Sequence, residues 1–184
     1  PFCGSGTTLI ASANLGRIGL GFDLNSNYKD LAIERLSKIA NKDSAKFDYV
    51  VGDSTQLVLD IPEYSIDYMV TSPPYHNILK NKSQGVRSDK SEKGFRNGGR
   101  TGVDFYSDDA QDLGNCESYN LFLERLSIIM DGVFCALKNK KYCSIVISDF
   151  TVDKKEVNVQ GDIVKLMLNI GFEFSGTISL LQPN

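Results

Sequence analysis

Two short segments of this chain carry residue types whose spacing could do chemistry. The first is Thr71-Ser72-Pro73-Pro74-Tyr75, which follows an apolar run. Its prolines fix the backbone and remove two N–H donors, leaving carbonyls and the Ser72 hydroxyl as projecting acceptors. Tyr75 adds a flat face on which a base can stack, a contact worth about 1–3 kcal/mol. Such a turn suits a flat, amine-bearing substrate. The same letters also fit an ordinary Pro-Pro turn beside a core tyrosine.

The second segment is Pro1-Phe2-Cys3-Gly4-Ser5-Gly6-Thr7-Thr8. Gly4 and Gly6 permit a tight turn and close approach of a ligand to the backbone. The helix that starts near Thr7 aims its N-terminal N–H groups at an anion. Glycine turns before helices are common, so this loop alone is a weak signal. Two acids strengthen it. Asp23 ends the next apolar run, at close to the roughly 20-residue spacing from which a carboxylate grips ribose hydroxyls in a nucleotide-binding fold. Asp53 ends the run after that and could accept from an exocyclic amine of a bound adenine. Both acids could equally cap the turn or helix that follows, and capping does not preclude ligation.

The elements that would position these residues alternate. Helices are expected from Gly6 to Leu15, from Asn27 to Ala40 with Asn25 or Ser26 as cap, from Tyr119 to Leu137, and from Asp162 to Ile170. Strands are expected at Arg17–Asp23, Phe47–Gly52, Ile66–Thr71, Tyr142–Phe150 and Phe172–Leu181. Residues from about 79 to 117 are polar and without period, a structureless insertion of the kind that is functional or disordered. Alternation of this sort predicts a doubly wound, mainly parallel α/β sheet with sites at the carboxyl ends of its strands.

At 184 residues the chain is read as one domain, residues 1–184, with room for a sizeable core. Its composition is that of a globular protein without a long apolar run or signal-peptide pattern, which gives a cytoplasmic location as the expectation. Pro1 opens in the middle of a strand-to-loop junction, so the N-terminus is read as truncated. The net charge of -3 supplies no global attraction to nucleic acid. Charge is segregated nonetheless. Lys80, Lys82, Arg87, Lys90, Lys93, Arg96 and Arg100 fall close together, and Asp104, Asp108, Asp109, Asp112 and Glu117 follow. A solvated surface loop would look the same. The four cysteines, Cys3, Cys116, Cys135 and Cys143, form no C-x-x-C pair, and His76 is not placed to complete a zinc site. No metal is expected, and Cys135 and Cys143 read as core thiols.

With these residues in view, PFCGSGTT resembles the S-adenosylmethionine-binding motif of the amino-methyltransferases of DNA, without the aspartate that usually precedes it. TSPPY resembles their catalytic motif, (Asp/Asn/Ser)-Pro-Pro-(Tyr/Phe/Trp). GFDLN, VGDS and the helix-plus-strand from Tyr119 to Phe150 resemble the segments that follow, so the likeness covers most of the chain outside 79–117. It implies a Rossmann-like class I methyltransferase fold whose first, central strand lies outside this sequence. It also implies that Phe2, Gly4 and Gly6 hold the methionine part of S-adenosylmethionine, Asp23 its ribose, and Asp53 with Ser54 its adenine. Ser72, Pro73, Pro74 and Tyr75 would hold the target base.

The implied partner is DNA with its target base flipped out of the helix. A restriction endonuclease of the same system is the implied companion. The serine form of the tetrapeptide favours cytosine N4 as acceptor, with adenine N6 as the alternative. RNA, a protein glutamine, or an inactive cofactor-binding fragment rank lower. Lys93, Arg96 and Arg100 follow the catalytic turn and are expected on the phosphate backbone.

Overall fold

A computed structural model describes residues 1–38, 46–76, 109–148, 150–152 and 155–180. Lys93, Arg96 and Arg100, with the rest of the basic run, lie outside the described residues. The elements run α1 (Thr7–Asn14), β1 (Gly19–Asp23), α2 (Ser26–Leu36), β2 (Phe47–Val51), α3 (Ser54–Leu57), β3 (Ile66–Thr71), α4 (Tyr119–Ala136), β4 (Leu137–Ile145), β5 (Phe150–Val152), β6 (Lys155–Val157) and α5 (Val159–Ile170). Short 3-10 turns occupy Val58–Asp60 and Leu113–Asn115. No helix among the described residues is long and apolar enough to cross a membrane.

The fold class is α/β, and the strand pairs that matter to the site are parallel. β1 pairs with β2 from Gly19↔Phe47 to Asp23↔Val51, and β3 pairs with β4 up to Thr71↔Ile145. Helices cover both faces. On one face Leu9 and Ala13 of α1 and Ala32 and Leu36 of α2 enclose Tyr49 of β2. On the other, Phe22 and Met69 pack with Val58 and with the buried stripe of α4. That stripe is Phe122, Leu126, Ile129, Met130 and Val133, all near zero exposure and spaced to share one helical face.

Local chemistry explains where the helices begin. The Asn25 side chain accepts from the Asn27 amide, Ser118 accepts from Leu121, and Asn158 accepts from Gly161. Each is a side-chain acceptor satisfying a first-turn donor that the helix itself leaves open. Tyr119 then donates to Asp162 at 3.0 Å, and Phe134 meets Phe172 edge-on at 4.9 Å, fixing α4 against α5.

Several expectations are corrected. Among the described residues the expected parallel arrangement is present as two pairs, β1–β2 and β3–β4, beside an antiparallel pair, β5–β6. Residues 1–3 run between the two parallel pairs: the Cys3 amide donates to the Phe22 carbonyl, and the Thr71 hydroxyl donates to the Pro1 carbonyl. The strand expected at Tyr142–Phe150 is β4, which starts at Leu137 and ends at Ile145. Its Lys-rich beginning pairs through an irregularity between Ile66 and Tyr68, with Lys140 at a positive φ of 59 and Lys138 and Lys141 both on Asp67.

Phe150 belongs instead to an antiparallel hairpin, β5–β6. The strand expected at Phe172–Leu181 does not form over 172–180. Apolar residues there stay in solvent, Ile178 at 89% exposure. The insertion read as 79–117 is ordered at its far end, where Asp112 and Leu113 are buried.

Gly132 marks where α4 approaches the turn after α3. A Cβ built there would lie 2.5 Å from Val58 Cγ2 and 2.9 Å from its Cβ. Gly132→Ala is therefore expected to destabilise the fold by about 1–3 kcal/mol through overpacking. This should exceed the gain of about 1 kcal/mol that alanine brings to a helix. A urea midpoint equal to or above wild type would show that the contact relaxes freely.

Candidate functional site

The carboxyl ends of β1, β2 and β3 open onto one cavity of about 290 Å³. That is close to the lower end of small-molecule sites, about 300–1,000 Å³. Phe2, Gly4, Asp23, Asp53, Ser54, Ser72, Pro73, Pro74 and Tyr75 all line it. Of the cofactor and base residues named from the sequence, only Gly6 is missing from that lining.

Gly6 has a different task. It precedes α1 at φ 77, and a Cβ there would sit 2.7 Å from Ala32 Cβ. Its lack of a side chain lets α1 and α2 approach. Gly4 is the glycine of the loop that lines the cavity. At φ 51 it is left-handed, its amide donates to Asp23 Oδ2 at 2.7 Å, and its carbonyl accepts from the Tyr49 hydroxyl at 2.8 Å.

Asp23 is the electrostatic centre. Its second oxygen accepts from the Asn25 amide at 3.0 Å. Burial pushes its pKa up, the Asn25 and Gly4 amides pull it back, and neighbouring Asp112 raises it again. A carboxylate has about four acceptor positions. With two of them given to backbone amides, Asp23 keeps capacity for a pair of hydroxyls. Asp53 behaves as a cap: Oδ1 accepts from the Thr55 amide at 2.9 Å and Oδ2 from the Thr55 hydroxyl at 2.7 Å. It lines the cavity as well, so capping and access coexist at this acid.

The turn at the end of β3 is anchored on both sides. The Thr71 carbonyl accepts from the Val146 amide at 2.8 Å, Pro73 is buried, and Ser72 is exposed. His76 is 1% exposed, with the rings of Tyr119 and Phe122 at 6.3 and 6.2 Å. It packs the end of the turn against α4, a core role. Among the described residues no group of His, Cys, Asp and Glu could hold a metal ion.

The sequence reading missed the far wall. Ser5, Leu24, Asn25 and Tyr28 flank residues already named, so proximity to the motifs could have found them. Gln111, Asp112 and Leu113 return to the cavity after the long polar segment. Asp112 is buried and accepts from the Gly114 amide at 2.8 Å. The only hint of it in the sequence is an Asp-x-Gly turn followed by the capping serine of α4.

Among the described lining residues, Asp23, Asp53 and Asp112 bear negative charge and no Lys, Arg or His is present. A ligand with positive charge fits that wall. Thiol chemistry fits poorly, because burial pushes Cys3 up to about 11 and Cys143 up to about 12.

No family model matches the chain. A 38-residue stretch is 47% identical to the type II methyltransferase M.MthZI of Methanothermobacter thermautotrophicus, covering 21% of this chain and 11% of that relative. The methyltransferase likeness read from the motifs is borne out. Among solved structures, a candidate DNA modification methylase of Thermus thermophilus is 24% identical, with a TM-score of 0.43, over 67% of this chain and 39% of the other. A SAM-dependent methyltransferase of Methanosarcina mazei is 18% identical, with a TM-score of 0.47, over 78% and 48%. The chain thus spans less than half the length of each of these relatives.

The thiols offer a direct check on the site's electrostatics. Only a thiolate alkylates readily, so at pH 8 iodoacetamide should modify exposed Cys135 well before Cys3 or Cys143. Peptide mass mapping over time reads the order. Equal labelling of Cys3 and Cys135 in the folded chain would contradict the burial described.

Proposed function

We propose that residues 1–184 form one catalytic domain of an S-adenosylmethionine-dependent DNA amino-methyltransferase that modifies an exocyclic base amine, cytosine N4 in the first instance. One observation carries this reading. The glycine loop, the strand-end acids and the Ser-Pro-Pro-Tyr turn, far apart in sequence, line a single cavity. The short stretch shared with a type II methyltransferase supports it.

The donor set fits the cofactor. Phe2, Gly4 and Ser5 would hold its methionine end, Asp23 its ribose hydroxyls, and Asp53 with Ser54 its adenine. The acidic lining, without Lys, Arg or His among the described residues, suits a ligand with net positive charge. When bound, S-adenosylmethionine supplies an electrophilic methyl group on a positively charged sulfur.

The chain's own residues do the positioning. An exocyclic amine is a poor nucleophile because its lone pair is conjugated with the ring. Ser72 Oγ and the Pro73 carbonyl can accept hydrogen bonds from its two N–H groups. That favours the pyramidal nitrogen of the transition state and turns the lone pair toward the cofactor. The one surplus proton of the methylated nitrogen leaves to water. Tyr75 gives the flipped base a surface to stack on. Orientation then supplies most of the rate, without a covalent enzyme intermediate. High thiol pKa values at Cys3 and Cys143 agree with that, since carbon-5 methylation of cytosine needs a nucleophilic cysteine.

Methyl transfer from labelled S-adenosylmethionine to DNA, RNA and protein, followed by nucleoside mass spectrometry, tests the assignment. N4-methylcytosine is the expected product, and N6-methyladenine would move the assignment to the other base. Label found only in RNA or protein would reject both. Ser72→Ala and Tyr75→Ala should each lower kcat by about 100-fold while cofactor Kd stays within about twofold. Retained turnover in both variants would remove the turn from the mechanism.

The basic segment is assigned to the DNA backbone. Charge reversal at Lys93, Arg96 and Arg100 should weaken binding on every sequence alike. It should also reduce the slope of log K against log salt by about 1 per residue. An unchanged slope would remove these residues from the interface.

A further inference from the structure

Two side chains that do not line the cavity hold the glycine loop from behind. Tyr49, on β2, is 3% exposed, and its hydroxyl donates to the Gly4 carbonyl at 2.8 Å. Arg35, in the last turn of α2, directs Nη1 at the Ser5 carbonyl at 2.7 Å, the Ser5 hydroxyl at 2.7 Å and the Thr7 hydroxyl at 3.2 Å. Gly4 and Ser5 line the cavity, whereas Tyr49 and Arg35 do not. The Gly4 amide is already committed to Asp23 at 2.7 Å. Both polar groups of the Gly4 backbone and the carbonyl of Ser5 are therefore fixed by groups contributed from β1, β2 and α2.

A glycine-containing loop loses more conformational freedom on ordering than any other. Ordering it during folding leaves less to be lost when a ligand arrives, which tightens binding without adding a contact to the ligand. The ring of Tyr49 has a separate duty in the core with Leu9, Ala13, Ala32 and Leu36. Its hydroxyl can thus be removed without removing the packing.

We propose that Tyr49 and Arg35 are positioning residues that pre-order the Gly4–Thr7 loop for the methionine end of the cofactor. The assignment rests on the cofactor reading given above. The clamp acts through the loop backbone and leaves Ser72 and Tyr75 untouched, so it governs cofactor affinity and not the chemical step.

The experiment compares Tyr49→Phe, Arg35→Ala and Arg35→Lys in the full chain. Titration calorimetry with S-adenosylmethionine gives affinity, and amide hydrogen exchange without ligand gives loop order. Tyr49→Phe should weaken cofactor binding about 3- to 10-fold and Arg35→Ala about tenfold. Arg35→Lys should recover part of the loss, and kcat at saturating cofactor should not change.

Exchange should accelerate over residues 4–8 and remain at the wild-type rate in β2 and in the body of α2, which a general loss of stability would not produce. Wild-type affinity and wild-type loop exchange in both Tyr49→Phe and Arg35→Ala would overturn the clamp. If the wild-type chain takes up no S-adenosylmethionine, the cofactor reading fails. Exchange over residues 4–8 then still decides whether Tyr49 and Arg35 order the loop.

Discussion

The carboxylate of Asp23 is the constraint on which the rest of the site depends. It lies at the end of β1, where the strand must yield to a turn, and it accepts the amides of Gly4 and Asn25 together. One bond ties the glycine loop to the sheet, and the other sets the approach to α2, whose cap is Asn25. Holding an anion there is costly, since burial and Asp112 both oppose its charge. The two amide donors offset that cost, and charge-assisted bonds of this kind are roughly twice as strong as neutral ones. Asp23 thus ties the glycine loop to the sheet and, with Asp53 and Asp112, makes the cavity acidic.

Around that point the fold divides labour between two faces. The small residues Gly19 and Gly21 on β1 leave space for Leu9 and Cys3, so α1 can lie close to the strand. The opposite face carries Phe22 and Val50 against the larger core built on α4. α4 contributes nothing to the lining of the cavity directly, yet Phe122 and Tyr119 seat His76 and so fix where the Pro-Pro turn ends. The tightly packed stripe of α4 thus bears on the cavity indirectly, through the seat of His76.

Much of this was legible in the sequence where local chemistry decides the outcome. β3 ends at Thr71 because Pro73 and Pro74 cannot continue a ladder, and the bounds expected for it match. Asn25 caps α2 because a side-chain acceptor there completes the first turn. The acids and the turn could be named because each sits at a strand end, and strand ends converge in a parallel arrangement. What pairing decides was not legible. The 172–180 segment alternates like a strand but forms none, and the Lys-rich start of β4, between the helix and the strand expected there, joins β3 through Ile66↔Leu137. Asp112 was beyond reach for a similar reason. A residue that returns to a cavity after a long polar stretch leaves no periodic trace.

The contact between Gly6 and Ala32 has a consequence for how this protein can vary over time. With no room for an atom between them, the two positions share one fixed volume. Neither can gain a methyl group unless the other, or the spacing of α1 and α2, gives way. Ala32 is wholly buried and carries no polar group of its own, so by itself it would pass for interchangeable core. It is instead half of a joint allowance. Substitutions tolerated at one member will depend on the residue already present at the other, and an exchange that looks neutral in one lineage will be inaccessible in the next.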